Sequence, residues 1–284
     1  MQLIRNKKAL VTGAASGIGR AIAIRLAREG ADLYLLDVDE AGLSQVVAEG
    51  RRLGVNVIGR YCDVSQSQQI VASTEYILDR WAGVDILVNN AGIGYFGKTE
   101  QMTAEHCEHL LAINLHAPIH FTRELLPTLL ARPEAHVMNV ASFFGLVGTR
   151  RVAVYTSSKF GLVGFSESLR AEYGKLGLGV TALCPGFVNT NLFSAAPLGE
   201  DQNQPKRPPA WLLTTPEKIA DHAIRAIYRD SPVAIPQFYA KLAHLGKRLL
   251  PGLYDWANHV SRNRKKRDEL GVAAASPSQR RRAA

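Results

Sequence analysis

Cysteine is scarce: Cys62, Cys107 and Cys184 are the only three in 284 residues, widely separated, with no C-x-x-C pair and no interleaved histidines. That argues against a disulfide framework or a zinc site and favours a reducing, cytoplasmic setting. Long apolar stretches are missing too. No run of 18 apolar residues occurs, so no transmembrane helix is expected. A strand rhythm is under way by residue 8, which leaves no room ahead of it for a leader peptide. The eight histidines lack ligand spacing, and no metal is expected. With 46% apolar and 21% charged residues, disordered and fibrous chains are excluded, and the length suits one large α/β domain or two small ones.

Charge is present but unevenly placed. Of the net +9, residues 237–284 hold 11 Lys/Arg against 3 Asp/Glu, while residues 1–236 hold 23 against 22. The body is electrically ordinary, so the basic surplus belongs to a C-terminal extension and no nucleic-acid binding is expected.

Short apolar runs at 8–12, 32–37, 55–62, 84–89, 136–141, 180–184 and, more weakly, 233–235 alternate with segments of helical period such as 18–28, 65–81, 103–130, 152–176 and 216–229. Strands apolar throughout and separated by helices mean a parallel sheet covered on both faces. The expectation is one doubly wound α/β domain over 1–236 with seven parallel strands. The polar segment at about 191–215 reads as a substrate lid. Residues 237–270 read as a basic amphipathic helical extension, and 271–284 as a disordered tail.

The first strand runs into Gly13-Ala14-Ala15-Ser16-Gly17-Ile18-Gly19 and then a helix. Glycines there permit a tight turn and let backbone N–H groups at a helix N-terminus approach a pyrophosphate. The spacing is G-x-x-x-G-x-G rather than the commoner G-x-G-x-x-G. Asp37 closes the second strand, where a carboxylate accepts hydrogen bonds from the adenosine ribose hydroxyls and repels a 2′-phosphate. Since Ser16, Val38 and Asp39 offer no cation for that phosphate, NAD is favoured over NADP. The plainer reading of Asp37 is a helix N-cap.

Tyr155 and Lys159 stand at i and i+4 of a helix and project from one face. A nearby ammonium favours the phenolate and is expected to lower the tyrosine pKa toward neutral, with a nicotinamide cation adding to the effect. Asn114 and Pro118 share the segment 103–130. Proline has no N–H for the carbonyl four residues back, so the Asn114 carbonyl is expected to be free for a water and the helix to kink there.

These motifs, together with Asp63-Val64, Asn89-Asn90-Ala91-Gly92, Ala141-Ser142 and Pro185-Gly186 with Val188 and Thr190, resemble the short-chain dehydrogenase/reductase family over roughly residues 5–236. The family usually has a second serine where Ala141 stands. The resemblance implies a Rossmann-like fold and catalytic roles for Asn114, Ser142, Tyr155 and Lys159. Tyr155 would be the acid/base, with Ser142 on the same substrate oxygen, Lys159 also on the nicotinamide ribose, and Asn114 positioning a relay water. Cofactor contacts would come from Gly13, Ser16, Gly17, Ile18, Gly19, Asp37, Asp63, Val64, Asn90, Ala91, Gly92, Tyr155, Lys159, Pro185, Gly186, Val188 and Thr190. It also implies a homo-oligomer, dimer or tetramer.

Around these positions Tyr95, Phe96, Phe143, Phe144, Leu146, Val147, Phe187, Phe193, Trp211, Leu212 and Leu213 suggest an apolar substrate: a lipophilic secondary alcohol or ketone of steroid, retinoid or long-chain type. Two other classes stand beside this one. An NADPH-dependent acyl-thioester reductase is opposed by Asp37 and by the extension. A non-catalytic nucleotide sensor would not need Tyr155 and Lys159 together. In the extension, Phe238, Leu242, Leu245 and Leu249 form one stripe with Lys241 and Lys247 off it. It suits docking on the body or a second subunit, or peripheral membrane contact through 238–267.

Overall fold

The computed structural model describes residues 1–190, 192 and 208–259. Its seven strands are β1 Lys8–Thr12, β2 Asp32–Asp37, β3 Val57–Tyr61, β4 Ile86–Asn89, β5 Ala135–Val140, β6 Leu178–Leu183 and β7 Val233–Ala234. All pairings are parallel, in the order β3-β2-β1-β4-β5-β6-β7. The strand order therefore reverses between β1 and β4, which opens a crevice at the carboxyl ends of those strands.

Helices α1 Gly17–Arg28, α2 Glu40–Arg52, α3 Ser67–Trp81, α4 Ala104–Leu111, α5 Ala117–Leu130, α6 Ala153–Tyr173 and α7 Pro216–Arg229 cover the two faces, and α8 Phe238–Leu249 and α9 Pro251–His259 follow. Successive strand residues point to opposite faces. Ala9, Val11, Ile86 and Val88 pack with Ile22 and Leu26 of α1 and Ile219, Ala223 and Ile224 of α7. Leu10, Leu87 and Val137 pack with Ile77 of α3 and Phe121, Leu125 and Leu129 of α5. Each fully buried aliphatic side chain of this kind contributes roughly 1.5–3 kcal/mol.

One segment differs from the sequence pattern. Segment 103–130 is not one kinked α-helix: a π-helical turn, Ala112–His116, separates α4 from α5, with Ala117 N donating to the Ala112 carbonyl. Pro118 then falls at the start of α5, where its missing N–H costs that helix nothing. The wider turn thus replaces the expected kink as the response to proline.

By packing, Met1–Lys241 forms one unit, and the described residues from Leu242 fall outside it. That unit extends past the expected boundary at 236. The expected lid lies mostly outside the described residues, as does the tail beyond 259. No helix among the described residues is long and apolar enough to cross a membrane.

Candidate active site

The glycine-rich turn is built by reciprocal locking of β1 and β4. Thr12 Oγ1 accepts from Asn90 N at 3.0 Å and Ala91 N at 3.1 Å, and Asn90 Nδ2 donates to the carbonyls of Thr12 at 3.0 Å and Gly13 at 2.9 Å. Gly13 has φ +64° and lies so close to Ala91 that a Cβ would stand 2.8 Å from its Cα, so only glycine suits the position. Below the turn, Asn89 Nδ2 donates to Asn139 Oδ1 at 2.8 Å, and Asn139 Nδ2 donates to Ser166 Oγ at 2.8 Å. This ties β4, β5 and α6 together under the crevice.

Helices α2, α4 and α7 have their first N–H groups capped by Asp39, Thr103 and Thr215. Helix α1, like α3, α5 and α6, has no side-chain cap: Ser16 is its N-cap residue, yet its hydroxyl makes no cap bond. The α1 N-terminus, with Gly17, Ile18 and Gly19, thus keeps donors for an anion. Thr190 flanks it, its Cγ2 3.4 Å from where a Gly17 Cβ would be. Val188 bridges to Thr214 and packs on the core beneath.

Asp37 is not an N-cap. Asp39 caps α2 by accepting from Gly42 N at 3.0 Å, whereas Asp37 Oδ2 accepts from Ala15 N at 2.8 Å and Oδ1 from Asp39 N at 3.0 Å. Its carboxylate is thereby fixed beside the glycine turn. Asp63 Oδ1 accepts from Ser65 N at 2.9 Å, and Val64 is buried next to it. A cradle emptied of side chains, an uncapped helix N-terminus and a fixed carboxylate at the end of β2 together fit a nicotinamide dinucleotide.

Tyr155, Lys159, Asn114 and Ser142 are all buried, and Ser142 hydrogen-bonds Tyr155. Asn114 Oδ1 accepts from Ile93 N at 2.9 Å, and its Nδ2 donates to the Ile93 carbonyl at 2.9 Å and to Ser158 Oγ at 3.3 Å. Gly92 sits between Asn114 and Lys159: a Cβ there would be 3.2 Å from Asn114 Oδ1 and 3.5 Å from Lys159 Nζ. Lys159 Nζ donates to the Val140 carbonyl at 3.0 Å. Ser142 Oγ accepts from Phe144 N at 3.1 Å.

The electrostatics correct one expectation. Burial pushes the Tyr155 phenol up to about 12, with the Ser142 hydrogen bond pulling only partly the other way, and pushes the Lys159 ammonium down to about 8. Lys159 Nζ is turned to Val140 and lies 5.9 Å from the Tyr155 ring centroid. Desolvation therefore outweighs the ammonium that was expected to bring the phenol toward neutral.

Apolar side chains border the polar floor. Tyr95, Leu110 and Val152 pack around Tyr155, with Phe96, Met102, Phe144 and Leu192 against them. Leu146 and Val147 are buried, Trp211 is 80% exposed, and Phe193 lies outside the described residues. A hollow of about 550 Å³ lined by Arg51, Asn56, Val57 and Trp81 lies at the amino-terminal end of β3, away from the crevice. Sequence patterns missed Gln237 and Tyr239, which also reach the crevice; the signal for them is topological, since β7 runs parallel beside β6.

Residues 7–201 match the family model described as short chain dehydrogenase. The chain is 42% identical over 184 residues to a Streptomyces violaceoruber protein described as a putative ketoacyl reductase of the granaticin polyketide synthase, covering 64% of this chain and 68% of that one. It resembles a short chain dehydrogenase/reductase of Burkholderia phymatum solved with NAD, at TM-score 0.76 and 28% identity over 88% of this chain and 96% of that one. It also resembles a single-substitution variant of the actinorhodin polyketide ketoreductase solved with NADPH, at TM-score 0.73 and 30% identity over 83% of this chain and 97% of that one.

Proposed function

This chain belongs to the short chain dehydrogenase family, and on that premise we propose that it oxidises a secondary alcohol or reduces the matching ketone with NAD(H) as its cofactor and an apolar substrate body. The observation that carries the reading is that four buried residues adjoin: Ser142 hydrogen-bonds Tyr155, and Gly92 lies against both Asn114 Oδ1 and Lys159 Nζ. The bound nicotinamide supplies the hydride acceptor or donor.

In reduction, Tyr155 donates its phenolic proton to the ketone oxygen as the C–H bond forms, while Ser142 hydrogen-bonds the same oxygen and stabilises its developing charge. Burial that keeps Tyr155 protonated suits it to that step. In oxidation Tyr155, once ionised, takes the alcohol proton, and the positive charge of a bound oxidised nicotinamide would favour that ionised form. Lys159 would hold the ribose hydroxyls. The Asn114 side chain is spent on Ile93 and Ser158. Its role in passing the proton onward therefore falls to its carbonyl, for which Pro118 has no N–H to give.

Gly13, Ser16, Gly17, Ile18 and Gly19 would hold the pyrophosphate of a bound cofactor. Asp37 would accept from the adenosine ribose and disfavour a 2′-phosphate, and Asp63 and Val64 would border the adenine. Asn90, Ala91, Gly92, Pro185, Gly186, Val188 and Thr190 would line the nicotinamide half. The likeness to polyketide ketoreductases favours a second reading, reduction of a ketone carried as an acyl thioester with NADPH, which Asp37 opposes. A panel of aliphatic, cyclic and aromatic secondary alcohols with NAD, and a β-ketoacyl thioester with NADPH, read by nicotinamide absorbance, separates the two. Turnover of the thioester alone overturns the first.

A further inference from the structure

Because β7 pairs in parallel with β6, the residues that follow the two strands emerge side by side at the carboxyl end of the sheet. The chain after β6 is Cys184-Pro185-Gly186-Phe187, and the chain after β7 is Ile235-Pro236-Gln237-Phe238-Tyr239. They are fastened at three points. Gly186 N donates to Gln237 Oε1 at 2.8 Å, Phe187 N donates to Tyr239 Oη at 2.7 Å, and Gln237 Nε2 donates to the Phe187 carbonyl at 3.4 Å. A Cβ on Gly186 would overlap the Tyr239 hydroxyl, so the glycine is fitted to this neighbour.

The rings continue the connection inward. Phe187 stacks on Tyr239 at 6.4 Å and 21°, meets Phe144 edge to face at 6.1 Å and 76°, and Phe144 meets Tyr155 at 6.3 Å and 79°. Phe143 closes the group edge-on to Tyr239 at 6.3 Å. Phe187 is only half-buried and belongs to neither main core cluster. Its two ring partners, Tyr239 and Phe144, therefore orient a partly exposed ring rather than fill the interior.

We propose that Gln237 and Tyr239 are positioning residues that hold Phe187 against Phe144 beside Tyr155, and that Phe187 so held is the wall selecting the apolar body of the substrate. The proposal rests on Tyr155 as the proton-transfer residue. It makes the first turn after β7 part of the substrate site, although it contributes no group to the reacting atoms.

Tyr239→Phe keeps the ring and removes the acceptor; Phe187→Ala removes the wall. Three readouts apply: amide hydrogen exchange over 184–190, kcat and KM on straight-chain secondary alcohols of rising length with NAD, and NAD affinity by calorimetry. Tyr239→Phe should speed exchange at the Phe187 amide by at least about tenfold. It should raise KM for the best alcohol about fivefold to tenfold with kcat within about threefold and NAD affinity unchanged. Both variants should flatten the chain-length preference, and the double variant should be no flatter than Phe187→Ala alone. Unchanged exchange in Tyr239→Phe overturns the latch whether or not alcohols are turned over. An unchanged chain-length preference, or an equal loss on every alcohol with a lowered melting temperature, overturns the selectivity role. A wild type that oxidises no alcohol and reduces no ketone overturns instead the functional reading, and the exchange result still decides the latch.

Discussion

Strands β5 and β6 carry a buried titratable centre at each end. At the amino end His136 is wholly buried on β5, with Nε2 2.9 Å from Thr181 Oγ1 and Nδ1 4.0 Å from Asp230 Oδ1, and Asp230 is held in turn by Arg170 at 2.7 Å. At the carboxyl end Tyr155 and Lys159 lie against Ser142 and Val140. Burial displaces all three groups from their ordinary pKa values: His136 falls to about 3, Lys159 falls to about 8 and Tyr155 rises to about 12. The displacements are alike in cause and the surroundings are not. The His136 centre is met by Thr181 and Asp230, whereas Lys159 lies against Gly92, just past the end of β4 where the strand order reverses. A perturbed pKa alone therefore does not mark a functional site; its place at the switch point does.

The comparison can be broken by exchanging the fates of the two ends. Lys159→Met should lower kcat/KM by roughly a hundredfold, while His136→Gln should leave it within about threefold. Steady-state kinetics on one alcohol with both variants checks this, and comparable losses would erase the distinction. Replacing Asp37 with Ser and Val38 with Arg acts only on the crevice. The wild type should favour NAD over NADP in kcat/KM by at least about tenfold, or about 1.4 kcal/mol, and the pair of changes should narrow or reverse that ratio.

A third experiment sharpens the contrast through stability. Each of His136 and Lys159 binds a proton less readily in the folded chain than in the unfolded one, so each makes stability rise with pH across its own window. For His136 that window is about pH 3 to 6.5, for Lys159 about pH 8 to 10.5. Asp230, whose carboxyl is also held below its ordinary range, adds a loss of stability on the acid side. Denaturant titrations should show stability falling as pH drops from 6.5 toward 3 by on the order of a few kcal/mol. His136→Gln should reduce that slope and leave the alkaline one, and Lys159→Met should do the reverse.

How much of this was legible depended on whether the signal was local. Strands β1 and β2 and helix α7 follow the apolar pattern to the residue, because a doubly covered parallel strand has no polar face to blur its ends. Helix α2 has no such pattern: Gly42 and Gly50 interrupt it, and only Leu43, Val46 and Gly50 are buried. Gly13, Asp63, Asn90, Ser142 and Gly186 follow strand ends, whereas Asn114 lies in the π-helical turn and Tyr155 and Lys159 in α6. The pKa direction of Tyr155 was not legible, because it turns on desolvation and on where Lys159 Nζ points. Gln237 and Tyr239 were hidden by the adjacency of β6 and β7, which no local period encodes.

The smallest expected effect concerns the extension. Phe238, Leu242, Leu245 and Leu249 are more than half exposed, and no acidic residue lies in α8. Docking on the protein's own body or a second copy, or peripheral contact with an anionic bilayer, is our proposal for this stripe. Partial pelleting with anionic liposomes at low salt, reversed at high salt, is the expected result for a bilayer. A supernatant that stays full at low salt while sedimentation shows a dimer assigns the stripe to the second copy.

Tyr155 is the residue on which proton transfer turns. Purified wild type and Tyr155→Phe, compared for NADH formation from the best secondary alcohol and for NAD affinity by calorimetry, should differ in turnover by about a hundredfold to ten-thousandfold while binding NAD equally. Equal turnover by a folded Tyr155→Phe protein would remove the proton-transfer role from the carboxyl end of the sheet and contradict the assignment.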